Sequence, residues 1–96
     1  MKVNCKMYGP VQEAFGQYET TLSFDEGATV GDLLSLLIEE APELTELLFA
    51  NGDSDDELAH SIGVLVNKRN ISREQGLDTP LNPDDEVLIT PPIHGG

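Results

Sequence analysis

The chain has 96 residues, a length that suits one domain built around a single hydrophobic core. Its 18 acidic residues outnumber 5 basic ones, so the formal net charge is -13 at pH 7. Such a field repels nucleic acids and anionic membranes, because binding to either depends on Lys and Arg displacing counterions. The composition therefore argues against both as direct partners, and it favours a basic partner or a salt-rich cytoplasm.

The first residues, MKVNCKMY, contain no apolar signal segment, and no apolar run reaches the length of about 18 residues that crosses a bilayer. We therefore expect a cytoplasmic protein. Cys5 is the only cysteine, which excludes an internal disulfide and a metal cluster built of cysteines alone. Its place in an alternating run favours a small buried hydrophobic side chain over a nucleophile.

Two strands are predicted near the amino terminus. Residues 2–8 alternate apolar and polar side chains, the period of a strand with one buried face, and Gly9-Pro10 ends the pattern. Residues 11–15 form a short amphipathic turn or helical piece, and residues 18–24 alternate again. The two strands can pair as an antiparallel hairpin with a long connection.

The strongest helix signal begins after Thr29. This residue is a good N-cap, and Asp32 lies at the third helical position, where an acidic side chain favours the helix dipole. The apolar positions that follow keep helical spacing: Val30, Leu33, Leu34, Leu37 and Ile38. Pro42 is expected to stop this helix, and residues 44–49 predict a short second one.

The remainder of the chain reads as loops and strands. The run NGDSDDE at residues 51–57 predicts an exposed loop, since its acidic residues lack the spacing of a calcium loop. Residues 62–66 predict a strand, residues 67–70 a turn, and Ile71 the start of a short return segment. After a long loop, residues 86–90 predict the last strand. The prolines that follow end this strand.

The order of elements predicts an α+β fold: a mixed sheet of about five strands with one main helix and a short second helix. If the last strand pairs beside the first in the centre of the sheet, the fold is a β-grasp, as in ubiquitin. Residues 1–90 would form this domain, and residues 91–96 a flexible C-terminal tail.

Catalytic chemistry is poorly represented in the sequence. His60 and His94 are the only histidines, and neither a nucleophile elbow nor a glycine-rich phosphate loop occurs. His60 follows an acidic run, but a solvated loop histidine is the simpler interpretation. We expect neither an enzyme nor a metal site.

The tail, PPIHGG, carries the most specific chemistry. Two glycines at the end form a slender segment whose backbone fits a narrow channel, with the carboxylate of Gly96 at its tip. A carboxylate reacts with a thiol, sulfide or amine only after conversion to a mixed anhydride such as an acyl-adenylate. The alternative is a frayed terminus that ends in glycine by chance.

Three segments together resemble one family. They are GATVGDLLSLL in the helix, SIGVLVN in the middle strand and PLNPDDEVLITPPIHGG at the end. This chain resembles the ubiquitin-like MoaD/ThiS family over nearly its whole length. The match is closest to small archaeal modifier proteins of the haloarchaeal type and to the small subunit of molybdopterin synthase.

The resemblance implies a protein substrate and carrier. In that family an E1-like enzyme uses ATP and Mg²⁺ to adenylate the last glycine, and the carrier itself binds no cofactor. The adenylate becomes a thiocarboxylate for sulfur transfer or is passed to a lysine of a target protein as an isopeptide. Here Gly96 would be the reacting residue, and the segment threaded into the enzyme would consist of Gly95, His94, Ile93, Pro92 and Pro91.

The resemblance also implies an interaction surface. The sheet face near the tail would dock the activating enzyme, with Tyr8, Leu88 and Thr90 as candidate contacts. The candidate acceptors within this chain are its three lysines: Lys2, Lys6 and Lys68.

Three functions stay open at this point. The first is a modifier that also carries sulfur, and the second is a dedicated sulfur carrier for the large subunit of molybdopterin synthase or for a tRNA-thiolation enzyme. The third is a β-grasp interaction module that is never activated. Thr90 stands where small subunits of molybdopterin synthase carry an aromatic residue, and His94 stands where the family often has a small one, so the modifier is favoured over a dedicated molybdopterin role. A monomer is expected.

Overall fold

The computed structural model describes residues 1–48 and 62–90. Their strands and helices, in chain order, are β1 (Lys2–Met7), α1 (Pro10–Phe15), β2 (Glu19–Ser23), α2 (Val30–Glu40), α3 (Leu44–Leu48), β3 (Gly63–Val66), β4 (Arg69–Asn70) and β5 (Glu86–Thr90). Single turns of 3₁₀ helix span Ile71–Arg73 and Gly76–Asp78.

The five strands form one mixed sheet in the order β2-β1-β5-β3-β4. β1 and β5 run parallel, whereas each outer pairing is antiparallel. The last strand therefore lies in the centre of the sheet beside the first, and the predicted β-grasp fold is confirmed.

One hydrophobic core lies between the sheet and the helices. Alternation along β1 turns Val3, Cys5 and Met7 to the inner face, where all three are completely buried. They share the core with side chains from the helices, the other strands and the loop before β5: Val11, Val30, Leu33, Leu34, Leu37, Ala41, Leu44, Leu48, Val64, Ile71, Leu81, Val87 and Ile89. Four of the five apolar residues that keep helical spacing along the main helix are completely buried.

A capping box fixes the start of α2. The Thr29 N–H donates to Asp32 Oδ2 at 2.8 Å, and the Asp32 N–H donates to Thr29 Oγ1 at 3.3 Å. These two bonds satisfy backbone donors that the first helical turn leaves free. The helix then ends at Glu40, two residues before Pro42, as the sequence predicts.

The second hairpin differs from the prediction. Its turn consists of Asn67 and Lys68 alone, which both have positive φ angles, so β4 already begins at Arg69. Ile71 does not start a return strand, because its side chain is buried in the core and its backbone turns into a 3₁₀ helix.

Several strand boundaries also differ from the prediction by one residue. Tyr8, Tyr18 and Phe24 lie just outside β1 and β2, and Ile62 lies just outside β3. The predictions for the acidic loop, His60, the last residue of the second helix and the tail concern residues 49–61 and 91–96, which lie outside the described residues.

Candidate functional site

The sheet has a second face, turned away from the helices, which we call the outer face. The register of the strands places Lys6 of β1 beside Leu88 of β5, and Leu88 beside Leu65 of β3. On β5 the outer residues alternate with the buried Val87 and Ile89. Two half-buried leucines therefore lie side by side in the middle of a face that no described helix covers.

The sequence-predicted docking residues meet on this face. The Tyr8 N–H donates to the Ile89 carbonyl at 2.9 Å, which extends the β1–β5 ladder by one residue and puts Tyr8 in the outer row. Its side chain is 42% exposed. Leu88 and Thr90 are half-buried neighbours on β5, and Thr90 pairs with Gly63.

Leu65 completes a cluster that we call the Tyr8 patch, consisting of Tyr8, Leu65, Leu88 and Thr90. The patch lies at the end of β5 from which the chain continues into residues 91–96. Sequence reasoning missed Leu65. Residues 62–66 form an almost continuous apolar run, and such a run does not reveal which of its residues faces outward without knowledge of the register.

Charged and polar groups border the Tyr8 patch on the β1 side. Lys6 Nζ lies 3.5 Å from Glu86 Oε2, and Glu19 stands opposite Lys6 on β2. The carboxylate of Glu86, followed by that of Glu19, raises the pKa of Lys6 above its usual value. Beyond them, Asn4 Nδ2 donates to Glu19 Oε2 at 2.8 Å. An apolar centre with a polar margin is typical of a protein-docking surface.

The three candidate acceptor lysines occupy different environments. Lys6 is paired with Glu86 on the outer face, and 32% of its side chain is exposed. Lys2 is exposed at the start of β1, where it pairs with Ser23 of β2. Lys68 is exposed in the two-residue turn between β3 and β4.

An open depression of about 420 Å³ lies beside that turn. Asp85 is one of the residues that line the depression. Its buried carboxylate accepts hydrogen bonds from Asn67 Nδ2 and from the Asn82 N–H, both at 2.8 Å. The Asn67 side chain also accepts from the Glu86 N–H at 3.0 Å. These polar groups hold the β3–β4 turn against the start of β5, so their hydrogen-bonding capacity is used by the fold.

Cys5 lies in the core and points away from the Tyr8 patch. Burial raises the pKa of its thiol from the ordinary 9.0 to about 12. The thiol therefore stays protonated near neutral pH and serves as an apolar side chain, as the sequence predicts.

Over residues 1–48 and 62–90, no grouping of three or more His, Cys, Asp or Glu side chains is arranged to hold a metal ion. In the same two ranges, every helix is too short or too polar to pass through a lipid bilayer.

Comparison with known proteins gives one consistent result. The model of the ThiS family matches residues 5–96. Small archaeal modifier protein 3 of Haloferax volcanii is 31% identical over 96 residues, which cover 100% of both chains. A protein of Archaeoglobus fulgidus, named provisionally as a sulfur carrier, is 36% identical over 72 residues, or 74% of this chain and 77% of its own.

A solved structure gives the same answer for the fold. The solution structure of small archaeal modifier protein 1 from Methanosarcina acetivorans superposes with a TM-score of 0.79 at 38% identity, covering 99% of this chain and 96% of that one.

Proposed function

This chain belongs to the ThiS family, and on that premise we propose that it is a ubiquitin-like modifier that an E1-like enzyme activates at Gly96 and joins to lysines of target proteins. The observation that carries the proposal is the extent of the match. The family model runs through the last residue, so the terminal glycine pair falls inside the region that the family shares. Relatives of this chain are named as small modifiers and sulfur carriers rather than as enzymes.

The chemistry follows from the carboxylate of Gly96. The activating enzyme supplies ATP and Mg²⁺, the carboxylate attacks the α-phosphate, and pyrophosphate leaves, which gives an acyl-adenylate. Residues 91–95 are then the segment that reaches into that enzyme. Two prolines at its start limit the conformations of the segment, and glycine at its end gives the least steric hindrance.

The Tyr8 patch is the proposed docking surface for the activating enzyme. It combines exposed aromatic area with two neighbouring leucines, and it adjoins the strand end that leads into the tail. Aromatic and aliphatic side chains at the centre of an interface commonly provide most of the binding free energy.

Activation is tested by intact-mass and conjugate analysis of the protein from its own cells. Trypsin cleaves after Arg73, the last basic residue, so a conjugated lysine would carry a branch spanning residues 74–96. We expect such branched peptides from cells with the intact chain and none from cells in which Gly96 is deleted. Absence of both conjugates and any modified C-terminus would indicate a β-grasp interaction module that is never activated.

Docking is tested by ATP–pyrophosphate exchange with the purified activating enzyme. We expect Tyr8→Ala and Leu88→Ala to raise the KM for this chain about tenfold with little change in kcat, because they remove binding area away from the reacting carboxyl. Tyr18→Ala is the matched control, since Tyr18 is 54% exposed and lies across the hairpin beside the inward-facing Met7. An equal effect of all three substitutions would contradict a localised docking surface.

Sulfur transport is the second candidate, and the similarity to the Archaeoglobus protein favours it. A thiocarboxylate at Gly96 would add about 16 Da to the intact mass, because sulfur replaces one oxygen. The sulfur would go to a partner such as the large subunit of molybdopterin synthase or a tRNA-thiolation enzyme. Both functions require the same acyl-adenylate. Detection of the isopeptide alone, of the thiocarboxylate alone or of both products therefore shows whether the protein has one function or two.

A further inference from the structure

We propose that Lys68, at the tip of the β3–β4 hairpin, is the acceptor through which copies of this chain join head to tail by isopeptide bonds. The inference rests on the proposed function, because it needs an activated Gly96. It adds a modification site and a second substrate for the same reaction, namely another copy of this chain.

The backbone of the β3–β4 turn is strained at Lys68. Asn67 has φ 51 and Lys68 has φ 74, the positive values that a two-residue hairpin turn requires at both positions. Asparagine tolerates such values, whereas the second position favours glycine, and a lysine there is strained. Strained residues persist where the surroundings hold them and often mark functional positions.

Hydrogen bonds of Asn67 hold the turn in place. Asn67 donates to Asp85, accepts from the Glu86 N–H, and its own N–H donates to the Glu86 carbonyl at 2.8 Å. These bonds fix the turn without any contribution from the side chain of Lys68. Within the described parts of the chain, the Lys68 amine takes part in no ion pair, and its side chain projects into solvent from a narrow tip.

The other two lysines are less suitable. Lys6 is paired with Glu86, and its raised pKa leaves less of the neutral amine that can attack an acyl group. It also borders the Tyr8 patch, which the activating enzyme would cover. Lys2 is exposed, but it belongs to a paired strand: it lies opposite Ser23 on β2, and the Asp84 N–H donates to its carbonyl at 2.9 Å, so it does not stand at the tip of a turn.

The turn lies far from the strand end that leads into the tail. Gly63 pairs with Thr90, whereas Val66 pairs with Val87, so the β3–β4 turn lies at the end of the sheet opposite the exit to residues 91–96. A copy whose tail is engaged at one end therefore leaves Lys68 accessible at the other. Each copy can therefore be joined through its tail to the turn of a second copy while its own turn accepts the tail of a third.

The reaction balances without a further reagent. The neutral Nζ of Lys68 attacks the carbonyl carbon of the adenylated Gly96 of another copy, and a C–N bond forms. The bond between that carbon and the phosphate oxygen breaks, and AMP leaves with the electron pair. The proton of the amine passes to a solvent base. The energy comes from the ATP consumed in making the acyl-adenylate.

The test uses the purified chain, its activating enzyme, ATP and Mg²⁺. Lys68→Arg keeps the charge, and we expect it to abolish linked copies while adenylation of Gly96 continues at the wild-type rate. Lys2→Arg is the matched control, with linkage unchanged. Linked copies at the wild-type level in Lys68→Arg, or branches found on Lys2 or Lys6, would overturn the inference.

A second measurement does not depend on the activating enzyme. An activated ester of acetyl-Gly-Gly is added to the purified protein, and acylation of each lysine is followed by peptide mass spectrometry. We expect Lys68 to react fastest in the folded protein and the three rates to converge in denaturant. Equal or slower acylation of Lys68 in the folded protein would refute its selection as acceptor. Absence of adenylation in the first assay, by contrast, would refute the proposed function.

Discussion

Cys5 shows how one position in a strand determines the chemistry of a side chain. It is inward-facing on β1 and completely buried, and its thiol resists ionisation because the thiolate would lose its hydration. The same element places Lys6, the next residue, on the outer face beside Glu86. Adjacent residues thus have opposite electrostatic environments, which is the direct result of strand alternation.

The buried thiol makes stability depend on pH at the alkaline end. The folded protein keeps the thiol proton up to a pKa of about 12, whereas the unfolded chain releases it from about 9.0. The unfolded state therefore binds fewer protons in this window, and the free energy of unfolding falls as pH rises, by about 1 kcal/mol at pH 10. Urea denaturation at several pH values measures this change.

Cys5→Ala is the control for the alkaline effect. It lacks the thiol but retains both tyrosines, so the difference between the two pH profiles isolates Cys5. Ellman's reagent should react slowly with the native protein at pH 8 and quickly in urea. Rapid reaction without denaturant would contradict the buried, protonated thiol.

Asp85 is the second residue whose role is measurable. Asp85→Ala leaves Asn67 Nδ2 and the Asn82 N–H without their acceptor, so we expect the free energy of unfolding to fall by about 2–3 kcal/mol. Asp84→Asn is the matched control, because Asp84 is exposed with φ 66, a conformation that asparagine also adopts. Chemical denaturation measures both variants, and similar losses would mean that the carboxylate of Asp85 has no special role.

At the scale of elements, the start of α2 joins the helix to the loop before β5. The Val30 N–H donates to the Thr79 carbonyl and the Leu81 N–H to the Ala28 carbonyl. The backbone of Gly31 is also close to this loop, since a β-carbon there would lie 3.3 Å from the Leu77 carbonyl oxygen. The helix is therefore anchored to the segment that leads into the central strand.

The capping box gives a test of this anchoring. We expect Thr29→Ala to lower the free energy of unfolding by about 1 kcal/mol, because the Asp32 N–H loses its acceptor. Ser35→Ala, in the exposed middle of α2, is the control and should be neutral or slightly stabilising. If urea denaturation gave the same loss for both variants, the contribution would belong to the helix in general rather than to its cap.

The elements that sequence reasoning recovered are those with local signals. The helical spacing of Leu33, Leu34 and Leu37 and the cap at Thr29 depend on residues close together in the chain, so α2 was predicted to the correct end. The β3–β4 turn was predicted too long because a lysine at positive φ contradicts the usual preference. Hydrogen bonds between Asn67 and residues 85 and 86 hold that turn, and no local pattern reveals them.

The residues of the candidate site also differ in whether the sequence alone predicts them. Tyr8, Leu88 and Thr90 were proposed from their positions in predicted strands and from family resemblance, and the structure brings them together on one face. Leu65 required the register between β3 and β5, which depends on contacts between distant parts of the chain. The roles proposed for Gly96 and for residues 91–95 stay predictions, which the activation experiments test.

At the scale of the whole molecule, the net charge of -13 acts across a body of only 31 × 29 × 24 Å. The screening length is about 30 Å at 0.01 M salt and about 3 Å at 1 M. At low salt every carboxylate therefore repels nearly every other, and at high salt only close neighbours interact.

Stability should accordingly rise with salt. We expect about 2 kcal/mol between 0.01 and 1 M potassium chloride, or roughly 10 °C in Tm for a domain of this size. Glu39→Gln combined with Glu40→Gln, both exposed at the end of α2, should reduce the slope because the variant carries less charge. A Tm that does not change with salt, measured by calorimetry, would show that self-repulsion is unimportant here.

The central position of β5 has a consequence for synthesis. β5 is the last described strand in the chain, and it alone joins the β1–β2 hairpin to the β3–β4 hairpin. While a ribosome is still making residues 86–90, the sheet lacks its middle strand and the two hairpins share no backbone pairing. The tail is added only after that strand. A molecule that presents Gly96 has therefore already received the strand that completes its sheet, so the proposed activation would select chains whose sheet can form.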